Sequence, residues 1–129
     1  IMTLDLKTYQ TILEHSSAMI FVVDKNHSIQ YANPAACKHI GDINIKERSL
    51  AELYPERIKK YSHEDAEVFR TGKPKLQFIE NFVSKNNQNI WFQVDRIPLT
   101  DEHGNVTSII HSISDITAQI QYSKDLQKI

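Results

Sequence analysis

The sequence predicts an α+β domain in which helices cover one antiparallel sheet. Three observations support this prediction: a pair of alternating strands near the N-terminus, several short helices in the middle, and three consecutive alternating strands in the second half. The chain has 129 residues, of which 40% are hydrophobic and 24% charged. This length and composition are typical of one compact domain with a single core.

The first third of the chain predicts a helix, a hairpin and a second helix. Apolar residues at helical spacing indicate an amphipathic helix over residues 3–15 that lies against the body of the domain. Alternation over residues 19–23, a polar turn at 24–27 and a strand over 28–32 indicate a hairpin. The segment 33–41 then reads as a short helix, because it begins with an Asn-Pro pair suited to an N-terminus and ends on glycine.

The middle of the chain carries weaker helical signals. The segment 42–61 is broken into fragments, which fits one or two single-turn helices. Ser62 and Asp65 resemble a capping box, and a glycine and a proline follow at positions 72 and 74. These signals predict a helix over residues 62–71.

After Pro74 the hydrophobic period changes from helical to alternating. Strands are predicted over residues 75–83, 90–99 and 106–114, joined by polar turns, and they form an antiparallel meander. Asp115, Ile116 and Thr117 then open a last helix with Tyr122, Leu126 and Ile129 on one seam.

Charge and hydropathy exclude several classes of function. The formal net charge is −1, with no basic stripe, so we expect no nucleic-acid partner for this segment. The longest apolar run, residues 18–23, is far shorter than the roughly twenty residues that cross a bilayer, so no membrane contact is expected. Cys37 is the only cysteine, which excludes an internal disulfide and favours a cytoplasmic location.

At this point the chain resembles the PAS family across nearly its whole length. The matching residues are Asp24, Trp91, Pro98, Leu99, Asp101 and Gly104, with the segments 29–36, 65–74 and 115–117. The resemblance implies the PAS fold, a five-stranded antiparallel sheet in the order 2-1-5-4-3. It divides the chain into an N-terminal cap helix over 1–16, a PAS core over 17–116 and the start of a signalling helix over 117–129.

The same resemblance implies a non-catalytic sensor in a signal-transduction protein. We expect a homodimer, linked to an output domain such as a histidine kinase, a cyclic-di-GMP enzyme or a chemoreceptor. The segment Asp115, Ile116 and Thr117 would relay the signal, since Asp115 or Thr117 can cap the exit helix and fix it to the last strand.

Strand alternation assigns side chains to the pocket that the fold implies. Turns centred near Asn87 and His103 would place Phe78 opposite Arg96, with Ile109 beside Arg96 on the next strand. The spacing of Trp91, Pro98 and Gly104 resembles that of flavin-binding members, whose pocket residues fall on this face. With Val23 on the adjoining strand, the expected ligand-binding residues are Phe21, Phe78, Glu80, Phe82, Phe92, Val94, Arg96, Ile109, His111 and Ile113.

The opposite face of the sheet carries an apolar patch among polar residues, and such a patch needs a cover. The N-terminal helix or a second copy of the domain would supply it. The patch, here called the outer patch, consists of Ile79, Trp91, Ile97 and Ile110.

Charged residues on the predicted inner face leave several interpretations open. Glu80 and Arg96 either pair with each other or hold a small polar ligand between them, with Arg96 gripping an anion inside a cage of phenylalanines. His111 is either a hydrogen-bonded core histidine or a ligand contact. The leading enzyme alternative is a small cone-shaped isomerase or hydrolase in which Glu80 and His111 act as an acid–base pair.

The sequence also argues against the cofactors of photosensory and haem-binding PAS domains. The segment 49–52, where the reactive cysteine of flavin photosensors stands, has none, and Cys37 lies elsewhere as an ordinary small residue. His63 is about two residues from the place of a haem ligand, and no histidine spacing indicates a metal site. An unidentified small metabolite is the remaining candidate.

These absences predict that the purified domain is colourless. An absorption spectrum taken after gel filtration should show only the aromatic band near 280 nm, a value set by tryptophan and tyrosine. Stoichiometric flavin or haem absorption that survives the column would contradict the prediction.

Overall fold

The computed structural model describes residues 3–41, 45 and 47–129. Its elements are the helices α1 (Leu6–His15), α2 (Pro34–Ile40), α3 (Leu50–Leu53), α4 (Ile58–Thr71) and α5 (Thr117–Leu126), and the strands β1 (Met19–Asp24), β2 (Ile29–Ala32), β3 (Lys75–Val83), β4 (Asn89–Thr100) and β5 (Val106–Asp115). No helix within this described part combines the length and the apolarity that a membrane span requires.

The five strands form one antiparallel sheet in the order β2-β1-β5-β4-β3. This order confirms the predicted fold and strand topology. It places β5 in the centre, between β1 and β4, so that residues distant in sequence share one face. Part of the segment 42–61, predicted as broken helix, lies outside the described residues at 42–44 and 46, and its remainder includes α3 and the start of α4.

The predicted strand register is wrong by two residues in both hairpins of the meander. Phe78 pairs with Val94 rather than Arg96, and Arg96 pairs with His111 rather than Ile109. A bulge between Lys75 and Phe78 and another between Leu99 and Thr100 accompany this register, and sequence alternation alone does not reveal them. Because side chains alternate with a period of two, the shift leaves each residue on its predicted face.

The core lies between the inner face of the sheet and helices α2, α3 and α4. Its fully buried members come from both layers: Val23, Ile29 and Ile109 from strands, and Ala36 and Val68 from helices. Burial of such apolar surface is the main favourable term in folding. These helices therefore form one wall of any cavity between themselves and the sheet, and the inner face of the sheet forms the other.

Helix α4 begins at Ile58, four residues before the predicted start, and its N-terminus has no side-chain cap. The predicted capping box at Ser62 and Asp65 is therefore wrong. The Ser62 hydroxyl instead contacts Nε2 of His27 at 2.9 Å, and Asp65 is fully buried. A Ser-x-x-Asp spacing marks an N-terminus only when its serine precedes the helix, and here both residues lie within α4.

The outer patch remains partly open in the single chain. Ile79 and Ile97 are 48% and 37% exposed, while Trp91 and Ile110 are half-buried. Helix α1 contacts α2 and buries none of its own residues, so its apolar side chains Leu6, Tyr9 and Ile12 are also exposed. The sequence suggested that either the N-terminal helix or a second copy of the domain covers the outer patch. In the single chain, α1 leaves the patch partly exposed.

Asn33 joins the N-terminal segment, the first strand and α2. Its Oδ1 accepts hydrogen bonds from the amides of Ile20 and Ala36, both at 3.0 Å, and the second bond caps α2 as predicted. Its Nδ2 donates to the carbonyls of Leu13 and Ala18 at 3.1 and 2.9 Å. The side chain is fully buried, so these groups have little access to water.

Replacing Asn33 with alanine should lower the free energy of unfolding by about 2–3 kcal/mol, because it removes a helix cap and leaves buried polar groups unpaired. Urea denaturation of the wild type and the variant measures this loss. Asn26→Ala, in the exposed β1–β2 turn, serves as the control and should change stability by less than about 0.5 kcal/mol. Equal stabilities for the two variants would contradict the assignment.

Candidate functional site

Asp65 is the buried carboxylate around which the polar side chains of the sheet gather. It lies on the inner face of α4, one turn before the core residue Val68. Its Oδ1 accepts from Nε2 of His111 at 2.9 Å and from Nε of Arg96 at 3.2 Å. Since β4 and β5 pair Arg96 directly with His111, one helical carboxylate bonds to both strands at the same level.

Arg96 is 1% exposed and lies between two carboxylates. Beyond its bond to Asp65, its Nη2 lies 3.7 Å from Oε1 of Glu80, which is close enough for attraction but too far for a hydrogen bond. Glu80 in turn lies 3.9 Å from Nζ of Lys60. Arg96 therefore contacts Glu80, as one sequence interpretation expected, but its hydrogen bond goes to Asp65.

His27 extends this polar cluster toward the β1–β2 turn. Its Nε2 lies 2.9 Å from the Ser62 hydroxyl, and its Nδ1 lies 3.7 Å from the second oxygen of Asp65. Within the described residues, His27 Nδ1 and Asp65 Oδ2 are sealed from solvent and have no hydrogen-bond partner. His27 also has a positive φ of 61°, so the turn presents its ring to α4 through an uncommon backbone conformation.

A cavity of about 70 Å³ lies between this cluster, the sheet and the short helices. One water needs roughly 10–15 Å³ of such space, so the cavity has room for several waters or a small ligand. Its walls combine aromatic rings with charged and polar groups. The lining residues are Met19, Phe21, His39, Leu50, Tyr54, Arg57, Tyr61, Glu80, Phe82, Phe92, Val94, Arg96, His111 and Ile113.

Most of the residues predicted to face the pocket line this cavity. They are Phe21, Glu80, Phe82, Phe92, Val94, Arg96, His111 and Ile113. Phe78 does not, because it follows the β3 bulge and its side chain is 44% exposed. Ile109 and Val23 also lie outside the cavity, since both are fully buried in the apolar core.

Sequence reasoning missed the helical wall of the cavity. Tyr54, Arg57 and Tyr61 line it and follow one another at intervals of three and four residues, the spacing of one helical face, where α3 ends and α4 begins. That spacing could have predicted a common face, but the broken pattern before residue 62 hid it. Met19, His39 and Leu50 complete the missed part of the lining.

Two of the missed residues add polar groups to the wall. The guanidinium of Arg57 lies 4.0 Å from the centre of the Phe82 ring, in a cation–π contact. Burial raises the pKa of the Tyr54 hydroxyl, as does the neighbouring Tyr61, while Arg57 opposes the shift. The Tyr54 hydroxyl therefore stays protonated at neutral pH and remains available as a hydrogen-bond donor.

The enzyme alternative required Glu80 and His111 to act together as acid and base. The structure pairs Nε2 of His111 with Asp65 instead. Among the described residues, no group of histidine, cysteine, aspartate and glutamate side chains is arranged to hold a metal ion.

The sequence profile of the PAS domain matches residues 17–118. The chain belongs to the PAS domain family. No curated protein sequence matches it. PAS domains are generally non-catalytic sensory modules, and this chain has their sheet order.

Several solved structures share the fold at low sequence identity. The VqmA dimer of Vibrio cholerae is 18% identical with a TM-score of 0.74, over 91% of this chain and 53% of that one. A structure of VqmA bound to DPO is 17% identical with a TM-score of 0.71, over 86% of this chain and 57% of that one. A sensory box sensor histidine kinase from Vibrio cholerae is 14% identical with a TM-score of 0.61, over 87% of this chain and 90% of that one. This PAS domain thus spans little more than half the length of VqmA.

The exit helix of this PAS domain is joined to β4 as well as to β5. The carbonyl of Trp91 accepts from the amide of Ile116 at 2.8 Å, and the amide of Trp91 donates to the Thr117 hydroxyl at 2.9 Å. The side chain of Asp115 accepts from the amide of Thr117 at 2.9 Å. The prediction that Asp115 or Thr117 caps α5 is nevertheless wrong, because the N-cap position is Ile116 and no side chain caps the helix. All three predicted relay residues therefore lie at the junction of sheet and helix.

Asp65→Asn should lower the free energy of unfolding by about 2–4 kcal/mol, because it leaves the buried Arg96 without its hydrogen-bonded carboxylate. Urea denaturation followed by circular dichroism measures the change. Glu67→Gln, on the exposed side of α4, is the matched control and should cost less than about 1 kcal/mol. A stability of Asp65→Asn within about 0.5 kcal/mol of the wild type would refute the role given to Asp65.

Proposed function

We propose that this PAS domain is a sensory module without a catalytic step of its own, which holds a small polar ligand in the cavity and relays occupancy through α5. The observation that carries the proposal is a pair of cavity-lining groups, Glu80 and Arg96, whose hydrogen-bonding capacity is unfilled by the described residues. Both side chains are buried, so unpaired polar groups on them are costly, and a ligand that bonds to them recovers that cost.

The relay follows from the position of neighbouring residues on β4. Phe92 lines the cavity, while Trp91, the residue before it, bonds through its backbone to Ile116 and Thr117 at the start of α5. A ligand that displaces Phe92 would shift the strand segment to which α5 is fastened. This arrangement supports a change in the angle of α5 as the output signal.

The output domain would lie beyond residue 129 in a longer protein. The proposed classes are a histidine kinase of a two-component system, a cyclic-di-GMP enzyme and a chemoreceptor. The fold likeness to a sensor histidine kinase supports the first of these. The proposal places the domain in the cytoplasm, where its one cysteine would remain reduced, and assigns this segment no contact with nucleic acid or membrane.

The exposed outer patch and the exposed apolar side of α1 support a homodimer. Both surfaces are at least partly exposed in the single chain, and Tyr122 and Leu126 of α5 are also exposed. A second copy that covers these surfaces would remove apolar area from water and set two exit helices side by side. The structure of VqmA with a similar fold is described as a dimer.

The ligand-binding part of the proposal predicts a small-molecule adduct in native mass spectrometry when the domain is mixed with a fractionated metabolite extract. Hydrogen exchange with the adduct-forming fraction should then change at α5 as well as at the cavity. The absence of any adduct would contradict the proposed ligand binding. An adduct that leaves hydrogen exchange at α5 unchanged would contradict the proposed relay.

The relay part predicts that Thr117→Val raises hydrogen-exchange rates at the amides of Trp91 and the first turn of α5 by roughly three- to tenfold, as expected for one lost hydrogen bond. Thr100→Val, an exposed threonine at the end of the same strand, is the control and should leave those rates unchanged. Unchanged rates in Thr117→Val would show that the hydroxyl does not fasten α5.

The homodimer predicts that sedimentation velocity at tens of micromolar, an order of magnitude suited to weak interfaces, shows a dimer. Ile97→Glu should convert it to monomer, because a charge in the outer patch would be buried at the interface. Asn26→Asp adds the same charge in the β1–β2 turn and should leave the dimer intact. A wild-type protein that sediments only as monomer would contradict the prediction.

A further inference from the structure

A serine, a histidine and an aspartate form a chain of polar contacts between α4 and the β1–β2 turn. The Oγ of Ser62 lies 2.9 Å from Nε2 of His27, and Nδ1 of His27 lies 3.7 Å from Oδ2 of Asp65. The described lining of the cavity includes none of the three, so this site is separate from the sensory function proposed above. A serine hydroxyl, an imidazole and a carboxylate in this order cooperate in nucleophilic reactions.

Two elements bring these side chains together. Ser62 and Asp65 lie three residues apart on α4, the spacing that puts both side chains on one face of a helix. His27 lies in the turn, where its amide donates to the carbonyl of Asp24 at 3.1 Å and its carbonyl accepts from the amide of Leu50 at 2.9 Å. Its φ of 61° is uncommon for a residue other than glycine, and strained backbone of this kind is concentrated at functional sites.

The carboxylate of Asp65 decides which nitrogen of His27 carries the hydrogen. Its Oδ1 already accepts from Arg96 and His111, whereas its Oδ2 is sealed and has no hydrogen-bond partner among the described residues. A carboxylate is an acceptor only, so the neutral imidazole that faces Oδ2 is favoured with its hydrogen on Nδ1. Nε2 is then an acceptor, and the Ser62 hydroxyl donates to it.

The three side chains run from the surface to the interior. Ser62 is half-buried and the His27 side chain is 19% exposed, whereas the Asp65 side chain is 1% exposed. A small reagent can therefore reach the hydroxyl, while the facing atoms Nδ1 and Oδ2 are sealed from water. Their separation of 3.7 Å is longer than a hydrogen bond, and contacts of this kind often shorten only when the substrate is bound.

From these observations we infer that Ser62 is a nucleophilic serine that accepts an acyl group from a small activated donor, an ester or acyl phosphate with a weakly basic leaving group. Ser62 Oγ bonds to the carbonyl carbon as its proton passes to Nε2 of His27. The bond from that carbon to the leaving oxygen then breaks, and the leaving group takes the electron pair and the proton held by His27. The product is an acylated Ser62, a covalent modification of the domain.

Each of the other two residues has a distinct part in this step. His27 is the general base that takes the proton from the hydroxyl. Asp65 is a positioning residue, because it fixes the tautomer of the imidazole and stabilises its protonated form.

The probe is p-nitrophenyl acetate, a small ester whose leaving group is weakly basic and coloured. It is mixed with the intact domain, and absorbance follows the release of nitrophenolate. Peptide mass spectrometry then locates the acetyl group. We expect the fast first phase to place a single acetyl group on Ser62, ahead of the slower acetylation of exposed lysines.

Ser62→Ala should abolish this first phase, and His27→Gln should slow it by roughly a hundredfold, the lower end of what a positioned general base contributes. Two variants are matched controls and should leave the rate unchanged: His63→Gln at the exposed neighbour of Ser62, and Ser123→Ala at an exposed serine of α5. Thermal unfolding checks that all four variants are folded.

The positioning role of Asp65 has its own readout in nitrogen-15 NMR of the His27 ring. The wild type should carry the hydrogen on Nδ1. In Asp65→Asn the side-chain amide can donate to the ring, so the hydrogen should move to Nε2 and acylation should slow. A loss of stability alone does not change the tautomer.

Equal labelling of the wild type and Ser62→Ala, an unchanged rate in His27→Gln, or a wild-type His27 with its hydrogen on Nε2 would each overturn the inference. None of these outcomes bears on the metabolite adduct and the response of α5, which judge the sensory function separately.

Discussion

The rest of the structure depends on one buried carboxylate, that of Asp65. It comes from helix α4, and its Oδ1 bonds to His111 of β5 and Arg96 of β4, so the helix is fixed to the two strands in the middle of the sheet. An unpaired charge in this position would cost several kcal/mol, which makes any arrangement that separates the helix from these strands unfavourable. The distance between α4 and the sheet, and hence the space left for the cavity, follows from this contact.

The same contact explains why charged side chains line part of a cavity in a fold whose core is otherwise apolar. Asp65 occupies only the Nε of Arg96, and the guanidinium thereby directs its remaining donors toward Glu80 and the open space. Asp65 likewise bonds to Nε2 of His111, so that nitrogen is directed toward α4. Phe92 also lines the cavity, and the backbone amide of its neighbour Trp91 donates a hydrogen bond to Thr117 at the start of the exit helix. Ligand recognition and output thus share one strand, β4, whose position is fixed by Asp65.

The family resemblance predicted the strand order. Strand periodicity predicted the sheet and the face on which the predicted pocket residues of β3, β4 and β5 lie. It could not predict the register, because the bulges near Lys75 and Leu99 have no signature in the alternation of Phe78, Glu80 and Phe82. The spacing between Ser62 and Asp65 also led to the wrong prediction that these two residues form a capping box at the start of a helix. The partner of a buried charge is decided by contacts between distant segments, here 31 residues apart for Arg96 and 46 for His111, and such contacts leave no local pattern.

The most direct test of this account is nitrogen-15 NMR of the Arg96 side chain. A guanidinium held by Asp65 in a buried site should give a resolved Nε–H resonance that exchanges slowly with solvent, and Asp65→Asn should accelerate that exchange while an exposed arginine such as Arg70 stays unchanged. The pair is buried on both sides, so the protection should persist at high salt. An Arg96 Nε–H that exchanges as fast as that of Arg70, in wild type and variant alike, would contradict the central role of Asp65.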